Sequence, residues 1–471
     1  MANVNLTING RPASVPAGTT ILEAAGRIGI RIPTLCAYEG MGPHAACRLC
    51  IVQVEGEEKE KLACAAKAAE GMNVVTDSPA LFERRKAALT DMLRQHPVDC
   101  DHCARVGGSR IEDLEPEICE NCFYCDCQRK GFCELQALAR EFGISALPFD
   151  PRRNDFARDE STGVILRDPN KCVRCRRCVD VCRNTQAVGV LGLIKTEKGQ
   201  TVGVTTAAAL AESACIRCGR CVDVCPTGAV WLKEHKDDLP YYAHMRGVTT
   251  AALVDRTVLP ELSELYGGAI SLGQLSAALR KIGVDRVYDA QELQRVVASD
   301  AAQKLSVWDK TAPALVAVDP AAKAFLEQNY ADRREQFVFY ETAQSRFAAL
   351  TKGQFDRLFR ISGKNSLADE VQKTGCADYF CNARELFRIC KRTGANPLRL
   401  PEVPLDSLGL AAEPSAFDAV LGSVDWQIGG HPEKLVLRIR DRDVPAMICH
   451  NPAQFSEAIG DGTVRVIRVN A

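Results

Sequence analysis

Val4, Leu6 and Ile8 alternate with polar residues, and Asn9-Gly10 then offers a type I′ turn before a second strand through Val15. Thr20 and Glu23 have capping-box spacing, which predicts a helix stopping near Gly29. Ser78 as cap and Pro79 in the first turn open a second helix, with Leu81, Phe82, Leu89, Met92 and Leu93 as its apolar stripe and His96-Pro97 at its end. Residues 134–143 read as a helix closed by Gly143, after which 147–163, with Pro148 and Pro151, read as a linker. In the second half, Pro260–Tyr266 (before Gly267) and Leu272–Ile282 are predicted helices. Asp285–Tyr288, Gln336–Tyr340, Leu435–Arg440 and Val464–Val469 are predicted strands.

A chain of 471 residues exceeds a single core, so three or four domains are expected. The 59 Lys and Arg nearly cancel the 60 Asp and Glu, which favours neither nucleic acid nor a membrane surface. MANVNLTING lacks the basic flank and apolar core of a signal peptide, and no apolar run approaches the roughly 18 residues that span a bilayer. The expectation is a soluble, cytoplasmic protein with no transmembrane segment. Nucleotide fingerprints (G-x-G-x-x-G after a strand, P-loop) are absent, as are the zincin motif and the G-x-S-x-G elbow.

The 23 cysteines change the picture, because 19 lie at or before residue 225, many at C-x2-C spacing. Two runs, Cys172-x2-Cys175-x2-Cys178-x3-Cys182 and Cys215-x2-Cys218-x2-Cys221-x3-Cys225, start 43 residues apart, and nine of their eleven positions match. This is an internal duplication with the bacterial ferredoxin pattern, in which the fourth cysteine of each run serves the other run's cluster. Cys172, Cys175, Cys178 and Cys225 are therefore expected to hold one [4Fe-4S] cluster, and Cys215, Cys218, Cys221 and Cys182 the other. Pro226 follows the second run, whereas Arg183 stands after the first and loosens that turn. Paired zinc knuckles are the alternative, although four-cysteine zinc sites usually join two C-x2-C units.

Upstream, Cys36-x10-Cys47-x2-Cys50-x13-Cys64 offers four thiolates, a set that suits a [2Fe-2S] cluster. IPTLC, CRLC and ACAA resemble the N-terminal module shared by the large iron–sulfur subunit of bacterial NADH dehydrogenase and multi-cluster [FeFe] hydrogenases. His96-x3-Cys100-x2-Cys103 and Gly131-Phe132-Cys133-Glu134-Leu135-Gln136 resemble those families' histidine-ligated [4Fe-4S] motif, HPxDCxxC followed by GxCxLQ. The resemblance implies His96, Cys100, Cys103 and Cys133 as ligands. The family's last cysteine position is Ser109 here, and Cys133 of the GxCxLQ signature follows Cys103 after 29 intervening residues. The insertion carries Cys119-x2-Cys122-x2-Cys125-x-Cys127, which is enough for an extra [4Fe-4S] cluster, with zinc or redox-reactive thiols as alternatives. The tight C-x-C pair leaves open an exchange of roles between Cys127 and Cys133.

GQLSAALRKIGVDRVYDA resembles the ALRxLGFDxVFDT stretch of [FeFe] hydrogenase catalytic domains, but the TSCCP, MPC and ExMACxGGC loops of the catalytic cluster are missing. Cys376, Cys381, Cys390 and Cys449 read as buried structural thiols, with a further metal site as the alternative. The expected fold is α+β and multidomain. It comprises a β-grasp [2Fe-2S] domain (1–78), a His-ligated [4Fe-4S] domain with a cysteine-rich insertion (79–146), a bacterial 2[4Fe-4S] ferredoxin domain (147–240) and a hydrogenase-like α/β domain without its catalytic cluster (241–471).

The resemblance implies a non-catalytic electron-relay subunit with one [2Fe-2S] and three to four [4Fe-4S] clusters. It would work in a hetero-oligomer beside a flavin/NAD(H)-binding iron–sulfur subunit and a small thioredoxin-like [2Fe-2S] subunit, exchanging electrons with ferredoxin or another partner, in a setting such as an electron-bifurcating anaerobic complex. The rival readings are a hydrogenase-type catalytic subunit with atypical ligands and a zinc-bound scaffold.

Overall fold

The N-terminal alternation becomes a hairpin of strands Asn3–Ile8 and Arg11–Pro16 in the computed structural model of the chain. The structure describes residues 2–38, 41–96, 102–103, 109–110, 127–129, 132–144, 156–294, 296–297, 315–317, 320–329, 331–339, 341–410, 427–428, 436–440 and 465–469. Asn9 and Gly10 both take positive φ (50° and 75°), the backbone a type I′ turn requires. Thr20 starts helix Ile21–Arg27: its hydroxyl accepts from the Glu23 N–H while the Glu23 carboxylate accepts from the Thr20 N–H. A five-stranded sheet, ordered Arg11–Pro16, Asn3–Ile8, Asn73–Val75, Ile51–Val54, Lys61–Leu62, buries that helix's Ile21, Ala24 and Ala25 against Leu6, Ile8 and Val52.

Helix Pro79–Gln95 begins on Ser78 and ends at His96; helix Glu134–Glu141 begins on Cys133. Phe82, near the start of the first, stacks on Phe142 beyond the end of the second, with centroids 5.0 Å apart. The start of the first helix thus packs against the end of the second, and Leu89 of the first shares a buried core with Cys133, Leu135 and Leu138.

The duplicated stretch folds as two cysteine loops braced by two antiparallel pairs, Ile165–Arg167 with Val230–Leu232 and Leu191–Thr196 with Gly199–Val204. Where Arg183 replaces proline, Val181–Thr185 forms a single π-helical turn, a wider winding that proline after the first run would have hindered.

The C-terminal half is built on a four-stranded parallel sheet ordered Arg286–Asp289, Thr250–Val254, Arg357–Ile361, Tyr379–Cys381. Helices Val258–Tyr266, Leu272–Ile282 and Ala383–Arg392 cover one face. The first starts two residues ahead of the expected Pro260, since proline is tolerated anywhere in the first turn. Arg286–Asp289 and Phe337–Phe339 sit within a residue of expectation, as do Val436–Arg440 and Arg465–Val469, which pair in parallel. Thr250–Val254 gave no alternating signal because both its faces are buried. Among the described residues no helix is long and apolar enough to cross a membrane.

Candidate metal centres

Cys36, Cys47, Cys50 and Cys64 are all buried and fall into two close pairs. The Cys36 and Cys47 sulfurs are 3.4 Å apart, and the Leu35 N–H donates to Cys47 Sγ at 3.5 Å. The Cys36 thiol, followed by N–H groups of Leu49, Leu35 and Cys36 that outweigh burial, pulls Cys47 down to about 5. The Cys50 thiol likewise pulls Cys64 down to about 7. Their partners Cys36 and Cys50 shift upward, because each is the donor that supports a neighbouring thiolate. Two close thiol pairs fit a cluster of two irons with two thiolates on each.

In the duplicated stretch the cysteines partition across the runs. Cys172, Cys175, Cys178 and Cys225 line one hollow of about 430 Å³. Cys182, Cys215, Cys218 and Cys221 line a second of about 370 Å³. The repeat is visible in the backbone: Arg174 and Arg217 take φ of 56° and 54°, and their N–H groups donate to Cys172 and Cys215 Sγ at 3.4 Å each. Arg176 and Gly219 hold the next equivalent position at 65° and 74°. Left-handed arginines are costly, and here they curl each loop so that amides face the sulfurs. Burial pushes Cys175 and Cys218 up to about 12. Thiolates at these depths need a compensating cation, which iron supplies.

His96 at the end of one helix and Cys133 at the start of the other are both buried, and burial pushes the Cys133 thiol up to about 11. Of their expected companions, Cys103 lies in the short strand His102–Cys103, paired with Ser109–Arg110, and Cys100 lies outside the described residues. In the insertion, Cys119, Cys122 and Cys125 also lie outside them. Cys127 is buried beside Gly228, where an added Cβ would stand 2.7 Å from its sulfur.

The centres share cores. Cys36, Cys47, Cys133 and Cys175, drawn from three motifs, sit in one buried cluster with Leu35, Leu49, Leu89, Leu135 and Leu138. Arg177 donates to both Glu134 oxygens at 2.7 and 2.8 Å, stacks on Tyr38 at 5.1 Å, and so ties all three motifs together. On the far side, Arg217 pairs with Asp369 at 2.7 Å, Asn365 donates to Asp223, and Leu367, Ala368 and Val371 enter the core of the duplicated stretch.

The C-terminal sheet reverses its strand order between Thr250–Val254 and Arg357–Ile361, the switch point where open α/β sheets usually bind ligands. Sequence reasoning passed over what stands there. Asp255 accepts from Arg360 Nη2 at 3.0 Å, from Thr257 N–H and Oγ1, and from Gln294, with both members of the ion pair fully buried. Cys376 lies in the core facing the duplicated stretch, Cys381 and Cys390 lie in the core of the sheet, and Cys449 is outside the described residues.

Comparison with known proteins places three domains on this chain. Residues 1–79 match a 2Fe-2S iron-sulfur cluster binding domain, 171–229 a 4Fe-4S dicluster domain, and 248–424 the C-terminal domain of the iron only hydrogenase large subunit. The NADP-reducing hydrogenase subunit HndD of Solidesulfovibrio fructosivorans is 29% identical over 90% of this chain and 74% of its own length. An NADH-quinone oxidoreductase subunit of Rhizobium meliloti is 36% identical, and the NADPH-Fe(3+) oxidoreductase subunit alpha of Geobacter sulfurreducens 34% identical. Each aligns with 43% of this chain, which spans 21% of the relative's length. Among solved structures, an NAD+-reducing [NiFe]-hydrogenase in the H2-reduced state aligns with TM-score 0.40 and 28% identity, over 49% of this chain and 88% of that one. The chain is thus an iron–sulfur protein, NADH-dehydrogenase-like in its cluster domains and hydrogenase-like in its C-terminal domain.

Proposed function

We propose that the chain is the electron-relay subunit of an NAD(P)H-linked oxidoreductase complex. It would carry electrons between a flavin/NAD(H)-binding iron–sulfur subunit, with its small thioredoxin-like [2Fe-2S] partner, and ferredoxin or another acceptor. The observation that carries this reading is the shared core in which cysteines of the first domain, the His96–Cys133 helix pair and the duplicated stretch pack against one another. Tunnelling falls off exponentially with distance, so redox centres packed wall to wall form a conductor.

On this reading Cys36, Cys47, Cys50 and Cys64 hold the [2Fe-2S] cluster of a β-grasp domain. His96, Cys100, Cys103 and Cys133 hold one cubane, the two hollows hold one each, and Cys119, Cys122, Cys125 and Cys127 hold an extra one. The bound clusters supply one-electron chemistry at potentials of roughly −400 mV for thiolate-ligated types. The protein fixes their spacing, excludes water and sets the local charge. A complex that splits electron pairs between two acceptors is the setting favoured here. The hydrogenase alternative lacks the TSCCP, MPC and ExMACxGGC loops that would hold a catalytic cluster.

Iron and acid-labile sulfide on anaerobically purified chain test the reading. About 18 iron per chain is expected, two from one [2Fe-2S] and four from each of four cubanes. About 14 would leave the insertion without a cubane, and about 22 would add a cluster at the late cysteines. A colourless chain without sulfide would overturn the relay.

A further inference from the structure

Arg129 is 6% exposed and among the described residues hydrogen-bonds only backbone: its Nη2 donates to Val222 O at 3.1 Å and Asp223 O at 3.5 Å. At its other end, its Cβ lies 4.0 Å from where a Cβ on Gly228 would stand. The side chain therefore runs along the 222–228 turn, at whose middle sits Cys225. Arg129 also opens the turn that delivers Cys133, because its carbonyl accepts from Phe132 N–H at 3.1 Å, and the N–H of Glu134 then donates to Pro226 O at 3.0 Å. Cys127, two residues before it, faces the same Gly228. Residues of different ligand sets thus meet around the one turn that the Arg129 side chain follows.

Several other cations near these sets have carboxylates: Arg177 has Glu134, Arg167 has Asp159, Arg217 has Asp369 and Arg384 has Glu261. Arg129 has no ion pair among the described residues. An uncompensated buried charge is expensive. Glu261, the carboxylate that acts on it, is already paired with Arg384, so thiolate-ligated clusters are the remaining negative charge available to meet it.

We propose that Arg129 is a counter-cation shared by the first ferredoxin cluster (Cys172, Cys175, Cys178, Cys225) and the cluster held through His96 and Cys133, raising the midpoint potentials of both. The inference rests on the electron-relay reading. A positive charge favours the reduced, more negative form of each cluster, and it offsets the repulsion an electron on one cluster exerts on the other. Arg129 is a positioning residue: it acts on clusters it does not ligate.

The test is an EPR-monitored redox titration of the full chain as wild type, R129M and R129K. In R129M the midpoints of these two clusters are expected to move to more negative potential, while the [2Fe-2S] centre and the cluster of Cys182, Cys215, Cys218 and Cys221 stay in place. R129K, which keeps the charge, is expected to stay near wild type. Unmoved midpoints in R129M, a uniform shift of every centre, or an R129K shift equal to that of R129M would overturn the proposal. If R129M loses iron, retention in R129K supports the charge role, and equal loss in both variants overturns it. Wild-type chain without iron would overturn the relay reading itself, a failure distinct from unmoved potentials.

Discussion

Gly228 and Cys127 meet with no room between them: a Cβ on Gly228 would stand 2.7 Å from the Cys127 sulfur. A residue of the insertion thereby rests directly on the turn that follows Cys225. Gly228→Ala is expected to destabilise the chain by about 1–3 kcal/mol through overpacking, read as a lower midpoint in chemical denaturation. In a Cys127→Ala background the same substitution should cost less than it does in the wild-type chain. Equal stability of G228A and wild type would contradict the contact.

Cys182 belongs by sequence to the first run and by position to the second hollow. Cys182→Ser and Cys215→Ser are therefore expected to remove the same cluster, each with loss of about four iron and the same EPR signal. Cys172→Ser should remove a different one. Identical spectra for C182S and C172S would mean that each run serves itself.

Arg177 is buried while its partner Glu134 is half-exposed. Glu134→Gln leaves that guanidinium with a weaker acceptor, and because water reaches one side of the pair the cost is expected to be about 1–2 kcal/mol. The check is a denaturation midpoint together with faster proteolysis between the helix pair and the duplicated stretch. Unchanged values would show that the apolar core alone holds these parts together.

Asp255 and Arg360 are both fully buried, so Asp255→Asn is expected to cost about 3–5 kcal/mol, and the R360M/D255N double variant to regain part of it. Burial alone would raise the Asp255 carboxyl, but the Arg360 charge, then Lys364 and the Thr257 N–H, overcome it and hold the group below its ordinary 3.8. A depressed carboxyl contributes stability above its unfolded pKa and loses it as pH falls through the folded value. Wild-type stability should therefore decline below about pH 4 through this group, and D255N should show a shallower acid dependence. Parallel acid profiles would contradict the pairing.

The sequence by itself determined the local and the chemical. Asn9-Gly10, the Thr20–Glu23 box, the Ser78 cap and helix Leu272–Ile282 are written in adjacent residues, because turns and caps depend on contacts three or four positions apart. The division of eight cysteines between two hollows was legible too, since a tight C-x2-C-x2-C loop turns three sulfurs one way and leaves the fourth for the opposite site. Tertiary structure alone decided the rest. Thr250–Val254 is buried on both faces and carries no alternation to read, so the parallel sheet and its switch point emerged only from strand pairing. Asp255 and Arg360 are 105 residues apart, and Gly228 meets Cys127 across 101. Arg129 stands between Gln128 and Lys130, with no local apolar pattern to mark it. Its burial against Val222 and Asp223 depends on contacts more than 90 residues away, which no local pattern encodes.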